Sequence, residues 1–514
     1  MGFAENFPLF TIIGSLFSGV LCTQLGARAA RRWTLGLESL LLLLNAAVLR
    51  TCAVTGRSFT YVCGEFPAPW GNGIRAGILE ASLAVLFTAV LLCSVCAGWR
   101  YLKRDVDESR VHLYFAMLNL LTAALMAMVW TNDIFTGYVF LEILTLTSCG
   151  ILIVREIGRT TLAAIRYMIL NLLGSGLFLL GVVLLYDVTG QLLMVPMRQE
   201  IAVLAENPQA MTVLTMAVGI LTVGLAIKSG LFPFHYWMPD TYGWATPASA
   251  AVLSSLVSKS YIFLLVKIYW RAIGISLVQH MPIRRLLLFL GICGIVLGSV
   301  SALRAGNINR MVAFSSAAQI GYIYAGIGIG GAAGYTAALF HILAHAVTKS
   351  QLFLSTPRLA ETSGDSLLFR ALTGSALRHR SAGLFFTFGA LSMIGVPALA
   401  GFASKLLFAA AAVQSGSERT MMTVMASLAL SSLLNALYFM RTVIRIWGRP
   451  GQESTGQASP WQVHSGQAGS AEEVREPAAA YLLPMLALTG LNIALGLWSA
   501  PVTEMIGRGL AMFV

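Results

Sequence analysis

Long apolar segments account for most of the chain, and few of them show the one-sided stripe of a helix on a soluble protein. A helix that crosses a bilayer needs roughly 20 apolar residues. The pattern therefore predicts an all-α polytopic membrane protein with about 14 membrane helices. These segments are residues 8–25, 34–55, 76–99, 111–130, 134–154, 163–186, 210–232, 245–270, 285–303, 311–330, 333–356, 382–413, 420–446 and 479–505.

Composition supports this class and excludes others. Hydrophobic residues make up 57% of the 514 residues and charged residues only 11%, against about 25% charged in ordinary soluble domains. So little charge cannot cover a soluble surface, which argues against a soluble enzyme, a nucleic-acid-binding protein and a disordered scaffold. The formal charge of +12 is then attributed to cytoplasmic loops that face anionic lipid.

The distribution of basic residues predicts the orientation. About 19 arginines and lysines fall in the odd-numbered connections and roughly 7 in the even-numbered ones, so the odd-numbered connections are predicted to be cytoplasmic. Both termini then face outward. The polar Gly/Ser/Gln-rich stretch within 447–478 is predicted to be a flexible cytoplasmic loop before the last helix.

The seven cysteines are interpreted as small core residues. Cys93 and Cys96 form a C-x-x-C pair, but no second pair follows and no histidines cluster beside it. No iron–sulfur cluster, haem, zinc or other cofactor is therefore expected. Whether Cys52 and Cys63 pair across an outer loop is left open.

The lysines form the most informative pattern. Of the six lysines, only Lys103 lies outside the apolar segments, whereas most arginines lie in loops or at helix ends. A desolvated lysine can lose its proton, but arginine stays charged in proteins. This division is typical of a proton path. The candidate proton-transfer lysines are Lys228, Lys259, Lys349 and Lys405, while Lys267 lies near a segment end and can equally extend to the interface.

Glu142 is the most deeply placed acid, because it lies in the middle of the apolar run 134–154. Beside a lysine it can stay ionised, since an opposite charge nearby stabilises the charged form. Glu38 and Glu80 lie nearer the ends of their segments and are predicted to be interface residues.

His341, His345 and Lys349 recur at intervals of four residues, which places them on one face of a helix. Histidine titrates near neutrality and can relay protons. A metal site is the rival interpretation, since two histidines four residues apart can bind zinc. No Glu or Cys lies nearby to complete such a site, so no metal is predicted.

Two apolar segments contain a helix break next to a lysine. Gly230 and Pro233 follow Lys228, and Pro397 and Gly401 precede Lys405. Each break lies in the fourth helix of a five-helix group, which predicts two inverted repeats. The predicted parts are helices 1–3 (1–110), the first repeat (111–270), the second repeat (271–446), the polar loop (447–478) and the last helix (479–514).

Several motifs resemble those of the antiporter-like subunits of respiratory complex I, Mrp cation/proton antiporters and energy-converting membrane-bound hydrogenases. The resemblance covers roughly residues 76–446 and is carried by 228–240 with 245–247, by 310–322, by the His341/His345/Lys349 run and by 395–405. The residues around Lys259 and Lys405 are similar to Mrp-D-like and hydrogenase-type members. The histidine run is more similar to the largest complex I subunit.

This resemblance implies fourteen core helices and a proton path with a Glu on helix five and a Lys on helix seven. These positions correspond to Glu142 and Lys228, the central lysine to Lys259, and the lysine of the broken twelfth helix to Lys405. His235 and Asp240 lie in the matching motif and are further candidates. Near residues 74–83 the sequence departs from the family's Arg-x-Asp pattern, because Ala76 and Gly77 follow Arg75, and no role is assigned there.

The function implied is proton translocation within a multi-subunit complex of a prokaryotic inner membrane, coupled to redox chemistry or ion exchange in partner subunits. H⁺, with Na⁺ as a further candidate, is the expected ion, and lipid and other membrane subunits are the expected partners, without nucleic acid. Two alternatives stay open: an Mrp-type Na⁺/H⁺ antiporter subunit with no redox partner, and a structural or quinone-contacting subunit.

Overall fold

Helices make up nearly all of the computed structural model, which describes residues 3–63, 66, 72–449 and 479–513. The predicted polar loop thus lies outside the described residues, apart from 447–449. A short antiparallel hairpin of β1 (Phe59–Cys63) and β2 (Asn72–Ala76) lies between α2 and α3. The helices are α1 (Phe7–Cys22), α2 (Ala27–Thr55), α3 (Ile78–Asp105), α4 (Val111–Trp130), α5 (Ile134–Ile153), α6 (Gly158–Thr189), α7 (Met194–Leu204), α8 (Pro208–Ser229), α9 (Met238–Trp244), α10 (Pro247–Val252), α11 (Ser258–Lys267), α12 (Ile275–His280), α13 (Ile283–Arg304), α14 (Ile308–Ile329), α15 (Gly331–Ala360), α16 (Ser375–Arg378), α17 (Arg380–Ile394), α18 (Ala400–Gln414), α19 (Glu418–Trp447), α20 (Ala479–Leu497) and α21 (Ser499–Ala511).

The prediction of an all-α polytopic membrane protein is confirmed. Among the described residues, 12 helical spans are long and apolar enough to cross a membrane, and α17 and α18 are two shorter apolar helices. The 30-residue α15 is long enough to span, but its polar residues keep it outside this set. The predicted number of about fourteen is therefore not confirmed.

Polar side chains begin several of these helices, where backbone N–H groups lack a partner within the helix. Asp133 accepts from the backbone N–H of Thr136 at 2.5 Å and starts α5. Asn307 does the same for α14, accepting from the N–H of Arg310 at 2.8 Å. Polar side chains thus mark the starts of α5 and α14.

Both predicted helix breaks are confirmed as features of the fold. α8 ends at Ser229, Gly230 adopts a left-handed conformation with φ of 76°, and the peptide bond before Pro233 is cis. α17 ends at Ile394, Gly395 has a φ of 97°, and the helix resumes at Ala400 in α18. Each broken element packs against a long preceding helix, α6 in one case and α15 in the other.

Gly401 differs from its predicted role. It lies in the first turn of α18, not in the break itself. A Cβ atom at this position would lie 1.8 Å from the carbonyl oxygen of Ser392. Gly401 is therefore required for close backbone contact between α17 and α18.

Small residues let other membrane helices approach closely. A Cβ atom on Gly224 of α8 would lie 2.6 Å from the carbonyl oxygen of Gly174 in α6. In the second half of the chain, a Cβ atom on Gly321 of α14 would lie 2.6 Å from the carbonyl oxygen of Gly291 in α13. Backbone contact at these crossings fixes the distance between α6 and α8, which carries Lys228, and the distance between α13 and α14.

The span Pro247–His280 lies at the centre of the molecule. Its most apolar 18-residue window is 100% buried, against 39% for the peripheral span Gly158–Thr189. It contains two π-helical segments, Leu253–Val257 and Ile268–Gly274, on either side of α11. Such segments are rare and often mark functional sites. Lys259 and Lys267 both lie between them in α11.

Candidate functional site

Lys228 lies in the last turn of α8, beside the first helix break, and is fully buried. Its ammonium group donates a hydrogen bond of 2.7 Å to the Thr145 hydroxyl on α5. It also lies 5.4 Å from the centre of the Tyr261 ring on α11. The Thr145 and Tyr261 hydroxyls are 3.3 Å apart. The break thus directs Lys228 between α5 and the central span.

Glu142 and Lys228, the predicted ion pair, are not in direct contact. None of the ion pairs within 4 Å among the described residues includes either of them. Glu142 is half-buried, and its Oε1 atom is buried without a hydrogen-bond partner in the described part of the chain. It lies three residues before Thr145, and therefore on the same face of α5. Lys228 therefore contacts this face of α5 at Thr145, about one helical turn from Glu142, its predicted partner.

Lys259 is the central buried lysine of the molecule. It is 0% exposed, and its ammonium group donates to the backbone carbonyl of Ser254 in the first π-helical segment. The hydroxyl of Ser254 is 2.9 Å from the hydroxyl of Ser316 on α14. Lys259 thus connects to α14 through one serine residue.

Lys349 approaches the same part of α14 from α15. Its ammonium group donates to the carbonyl of Val312 at 2.8 Å and to the hydroxyl of Ser315. Ser315 and Ser316 are adjacent in sequence, so Lys349 and the Ser254 residue that binds Lys259 contact neighbouring residues of one helix turn. Hydroxyl groups both donate and accept hydrogen bonds, and the Ser315 and Ser316 hydroxyls both donate to the Val312 carbonyl that Lys349 also binds, which gives a polar connection from Lys349 toward Lys259.

His345 and His341 continue this polar row one and two turns before Lys349. The rings of His341 and His345 are stacked, with centres 5.9 Å apart. Nδ1 of His341 lies 2.7 Å from the hydroxyl of Ser404 on α18. Both ring nitrogens of His345 are buried without a hydrogen-bond partner in the described part of the chain. The predicted helix face is therefore buried and leads toward the second break.

A small cavity lies between the histidines and the second break. Its polar lining includes Gln319, Thr348, Ser392 and Lys405. The space is about enough for one water molecule. A water here would have several hydrogen-bonding groups within reach, so the cavity extends the row toward Lys405.

Lys405 lies in α18, just after the second break, and is partly exposed. Its ammonium group donates to the carbonyl of Ile394 at 2.6 Å and to the hydroxyl of Ser432 on α19 at 2.9 Å. Ile394 is the last residue of α17, where carbonyl groups lack partners within the helix. The break thus provides the carbonyl group that binds Lys405.

Asn492 of α20 holds the second break together. Its Oδ1 atom accepts from the Ser392 hydroxyl at 2.9 Å and from the Ala400 backbone N–H at 3.2 Å. Its Nδ2 atom donates to the Thr348 hydroxyl at 3.1 Å. One buried amide therefore joins both sides of the break to α15, which carries the histidines.

Replacing Asn492 with alanine is expected to destabilise the protein, because it leaves buried polar groups without partners. The expected cost is about 1–3 kcal/mol, measured as a lower thermal midpoint of the purified complex. Leu486→Ala on the same helix is the control, since Leu486 is 55% exposed. Equal midpoints for the two variants would contradict this role for Asn492.

Lys267 belongs to a separate buried cluster and does not extend to the interface. It is 0% exposed, and its ammonium group donates to the carbonyls of Val129 and Thr131 at the end of α4, at 2.7 and 2.5 Å. Arg75 and Glu80 form an ion pair in the same region, and both are buried. The expectation that Glu80 and Glu38 are interface residues is wrong, because both are 0% exposed.

His235 and Asp240 lie outside the buried row. His235 is buried and stacks on Tyr236, with ring centres 4.7 Å apart. The Asp240 carboxylate forms ion pairs with Arg166 at 2.9 Å and with Arg310 at 3.4 Å. Their positions favour a role in holding the segment after the first break.

Hydroxyl residues that contact the candidate row were not identified from the sequence. Each hydroxyl residue lies in an apolar segment, near a candidate proton-transfer residue or within one of the motifs that resemble the family. A polar residue inside a membrane helix was therefore the signal that could have identified them. Their pairing needs contacts between distant helices, which no spacing rule provides. They are Thr145, Ser254, Tyr261, Ser315, Ser316 and Ser404.

Two relatives match nearly the whole chain. "NADH-quinone oxidoreductase subunit N" of Desulforudis audaxviator is 29% identical over 507 residues, covering 97% of each chain. The D subunit of the Na(+)/H(+) antiporter of Bacillus subtilis is 26% identical over 511 residues, covering 98% of this chain and 97% of the relative. The chain is thus similar along its length to subunits of two differently named systems.

Solved structures show the same fold. A chain of an archaeal respiratory membrane complex, the membrane-bound sulfane sulfur reductase, superposes with a TM-score of 0.84 at 24% identity, covering 99% of this chain and 97% of that one. A chain of the Mrp complex from a Dietzia species gives 0.83 at 22% identity, covering 99% and 97%. The folds therefore agree over nearly the whole of each chain.

The family comparison covers the part of the chain that carries the candidate row. Residues 131–431 match the family described as NADH:quinone oxidoreductase/Mrp antiporter, transmembrane. This range includes Glu142, the four buried lysines and the partly exposed Lys405, and it exceeds half of the 514 residues. The chain belongs to the NADH:quinone oxidoreductase/Mrp antiporter transmembrane family.

Proposed function

We propose that this protein is a proton-translocating, antiporter-like subunit of a multi-subunit membrane complex. Protons move along the buried row, which is defined by Glu142, Lys228, Lys259, Lys349, His345, His341 and Lys405. Redox chemistry or ion exchange in partner subunits drives the movement. The other membrane subunits of the complex and the surrounding lipid are the partners of this chain.

One observation carries the proposal: the lysines of the row have no carboxylate partner. No ion pair within 4 Å among the described residues includes a lysine, although Lys228, Lys259 and Lys349 are all 0% exposed. They bind carbonyl and hydroxyl groups instead. Structural burial of charge normally requires pairing, whereas proton exchange requires an amine that can become neutral.

A switch of Lys228 between two partners on α5 can couple the row to an external event. In the described state its ammonium group binds Thr145, and Glu142 lies one helical turn away on the same face. An opposite charge nearby favours the charged form of a titratable group. Lys228 therefore keeps its proton when it turns toward Glu142 and can release it toward Lys259 when it binds Thr145.

The energies involved are of comparable size. Moving one charge through a membrane potential of 100 mV involves about 2.3 kcal/mol. A tenfold change in a protonation equilibrium corresponds to about 1.4 kcal/mol. Closing or opening one charge contact is enough to couple proton release to the potential if it changes the protonation equilibrium by one to two powers of ten.

Two substitutions test the row directly. Lys228→Ala and Glu142→Gln, each in the complete complex in membrane vesicles, are expected to lower driven proton translocation by on the order of tenfold. Translocation is measured as quenching of a pH-sensitive dye in the vesicle lumen. Undiminished translocation in both variants would rule out the proposed mechanism.

Lys103→Ala is the matched control for these variants. Lys103 is also a lysine, but it is exposed in the last turn of α3. Its removal is expected to leave both the amount of assembled complex and proton translocation unchanged. A loss equal to that of Lys228→Ala would mean that the assay reports a general effect of removing positive charge.

Exchange of Na⁺ for H⁺ without a redox partner is a second candidate function. The full-length similarity to a Na(+)/H(+) antiporter protein of Bacillus subtilis favours it. It predicts that adding Na⁺ dissipates a pH gradient in vesicles that receive no electron donor. Formation of a pH gradient that requires an electron donor and is independent of Na⁺ would favour the redox-coupled function instead.

The complex is proposed to lie in the plasma membrane of a prokaryote, with both termini outside. The excess of basic residues in the odd-numbered connections supports this orientation. Cysteine labelling with a membrane-impermeant reagent tests it on intact cells. A cysteine placed at Gly26, in the first connection, is expected to stay unlabelled until the cells are opened.

A further inference from the structure

A second group of buried charges lies at the opposite end of α11 from the Lys259–Ser254 contact. Arg75 of β2 pairs with Glu80 in the first turn of α3. Arg271 donates to the side-chain oxygen of Asn132 at 2.8 Å. Lys267 binds the end of α4. We call these four residues the hairpin cluster, because Arg75 lies in strand β2 of the hairpin. The cluster consists of Arg75, Glu80, Lys267 and Arg271.

The hairpin cluster lies toward the even-numbered connections. β2 follows the second predicted membrane helix, Asn132 connects α4 to α5, and Arg271 lies in the second π-helical segment near the end of the central span. Asn132 is also tied to the hairpin, since its backbone N–H donates to the Gly73 carbonyl at 2.8 Å. The charge distribution predicts that this side faces outward.

Lys267 and Lys259 share one face of α11. They are eight residues apart, which corresponds to roughly 12 Å along the helix axis, and Phe263 lies midway between them at intervals of four residues. The Lys267 nitrogen lies 5.8 Å from the centre of the Phe263 ring, and Phe263 is 0% exposed. Phe263 therefore lies between the two lysines on this face of α11, next to Lys267.

The end of the chain packs against this ring. The ring centres of Phe263 and Phe513 are 6.5 Å apart. Phe513 also lies beneath two guanidinium groups of the cluster, 5.0 Å from Arg75 and 5.9 Å from Arg271. Arg75 in addition donates to the carbonyl of Met512 at 2.5 Å. These contacts hold Phe513 against Phe263.

Glu80 has an unused proton-accepting atom in this cluster. Its Oε1 atom pairs with Arg75, whereas its Oε2 atom is buried without a hydrogen-bond partner among the described residues. Among the described residues, the cluster therefore holds a buried amine, Lys267, and a buried carboxylate oxygen of Glu80 without a hydrogen-bond partner.

We propose that the hairpin cluster is a side branch of the proton row, leading from Lys259 to the side of the even-numbered connections, and that Phe263, held by Phe513, is its gate. When the Phe263 ring rotates away, water connects the Lys259 ammonium to the Lys267 ammonium. The Lys267 ammonium releases its proton through water to the Glu80 carboxylate, and the amine left behind accepts a proton that the Lys259 ammonium gives to the connecting water, so one proton leaves Lys259, one reaches Glu80 and the water is unchanged. This inference rests on the proposed function.

Lys267→Arg separates proton transfer from structural support. Arginine keeps the positive charge and the donors that bind Val129 and Thr131, but it does not release its proton. In the complete complex in vesicles, we expect normal assembly and a loss of driven proton translocation on the order of tenfold. Normal translocation in this variant would overturn the proposal and leave Lys267 as a structural clamp.

Phe263→Ala tests the gate independently and decides the question if Lys267→Arg does not assemble. We expect it to raise the passive proton leak of vesicles that carry an imposed pH gradient and no driving reaction. Phe439→Ala is the control, because Phe439 is equally buried but lies in α19. A leak no larger than that of the control would overturn the gate and, with it, the branch.

Lys228→Ala in the same vesicles distinguishes failure of the branch from failure of the proposed function. If Lys228→Ala is inactive while Lys267→Arg is fully active, only the branch is wrong. If both variants translocate protons at the normal rate, the proposed function itself fails.

Discussion

Replacing Lys259 with alanine is expected to abolish proton translocation. Lys259 lies at the centre of the buried row, and the described contacts connect it through Ser254 and Ser316 toward Lys349. Removal of a positioned proton-transfer group typically costs roughly a hundredfold or more in rate. The measurement is driven proton uptake into vesicles, normalised to the amount of assembled complex.

Two further variants at this position identify the property that matters. Lys259→Arg retains the charge but cannot release a proton, so it is expected to be as inactive as Lys259→Ala. Lys259→His replaces the amine with a group that titrates near neutrality and is expected to restore part of the activity. Full activity of Lys259→Arg would contradict proton transfer through Lys259 and favour a fixed electrostatic role.

Gly401→Ala is expected to have the largest effect on stability among single methyl additions near the row. The new Cβ atom would lie 1.8 Å from the Ser392 carbonyl oxygen and 3.3 Å from the Ser392 hydroxyl. The carbonyl oxygen of Ser392 belongs to the backbone of α17, so it cannot move aside as a flexible side chain would. α17 and α18 must separate, at a cost of about 1–3 kcal/mol or more.

The separation also affects function, because Ser404 and Lys405 follow Gly401 on α18. We therefore expect Gly401→Ala to lower both the yield of assembled complex and proton translocation per complex. Gly490→Ala on α20 is the matched control, since a Cβ atom there meets nothing within 4 Å. Equal yields and thermal midpoints for the two variants would contradict the close-contact role of Gly401.

Patterns within single segments predicted correctly those features that depend on local chemistry. Apolar segment length predicted membrane helices, because the bilayer requires a minimum apolar span. Gly230 and Pro233 predicted the first break, since glycine permits a left-handed residue and proline removes a backbone donor. The spacing of His341, His345 and Lys349 predicted a shared helix face, and all three are buried in α15.

Features that depend on contacts between distant segments were missed or misplaced. Glu80 lies near the start of its helix, and from the sequence such a position is expected at the membrane–water interface. In the structure, Arg75 from the hairpin makes Glu80 part of a buried ion pair. Lys267 lies near a segment end, yet the carbonyls at the end of α4 bind it in the interior. Neither partner is recognisable from the spacing of residues along the chain.

The amino-acid sequence by itself determined that this protein is a bundle of membrane helices with amines in its interior, because segment length, helix-breaking residues and side-chain periodicity act within one segment. Only the tertiary structure decided what each amine contacts. Lys228 binds Thr145 and not Glu142, and the packing of α11, α14 and α15 makes serines the connection between Lys259 and Lys349. The reason is physical: hydrogen bonds act over about 3 Å, and which groups come that close depends on how whole helices pack.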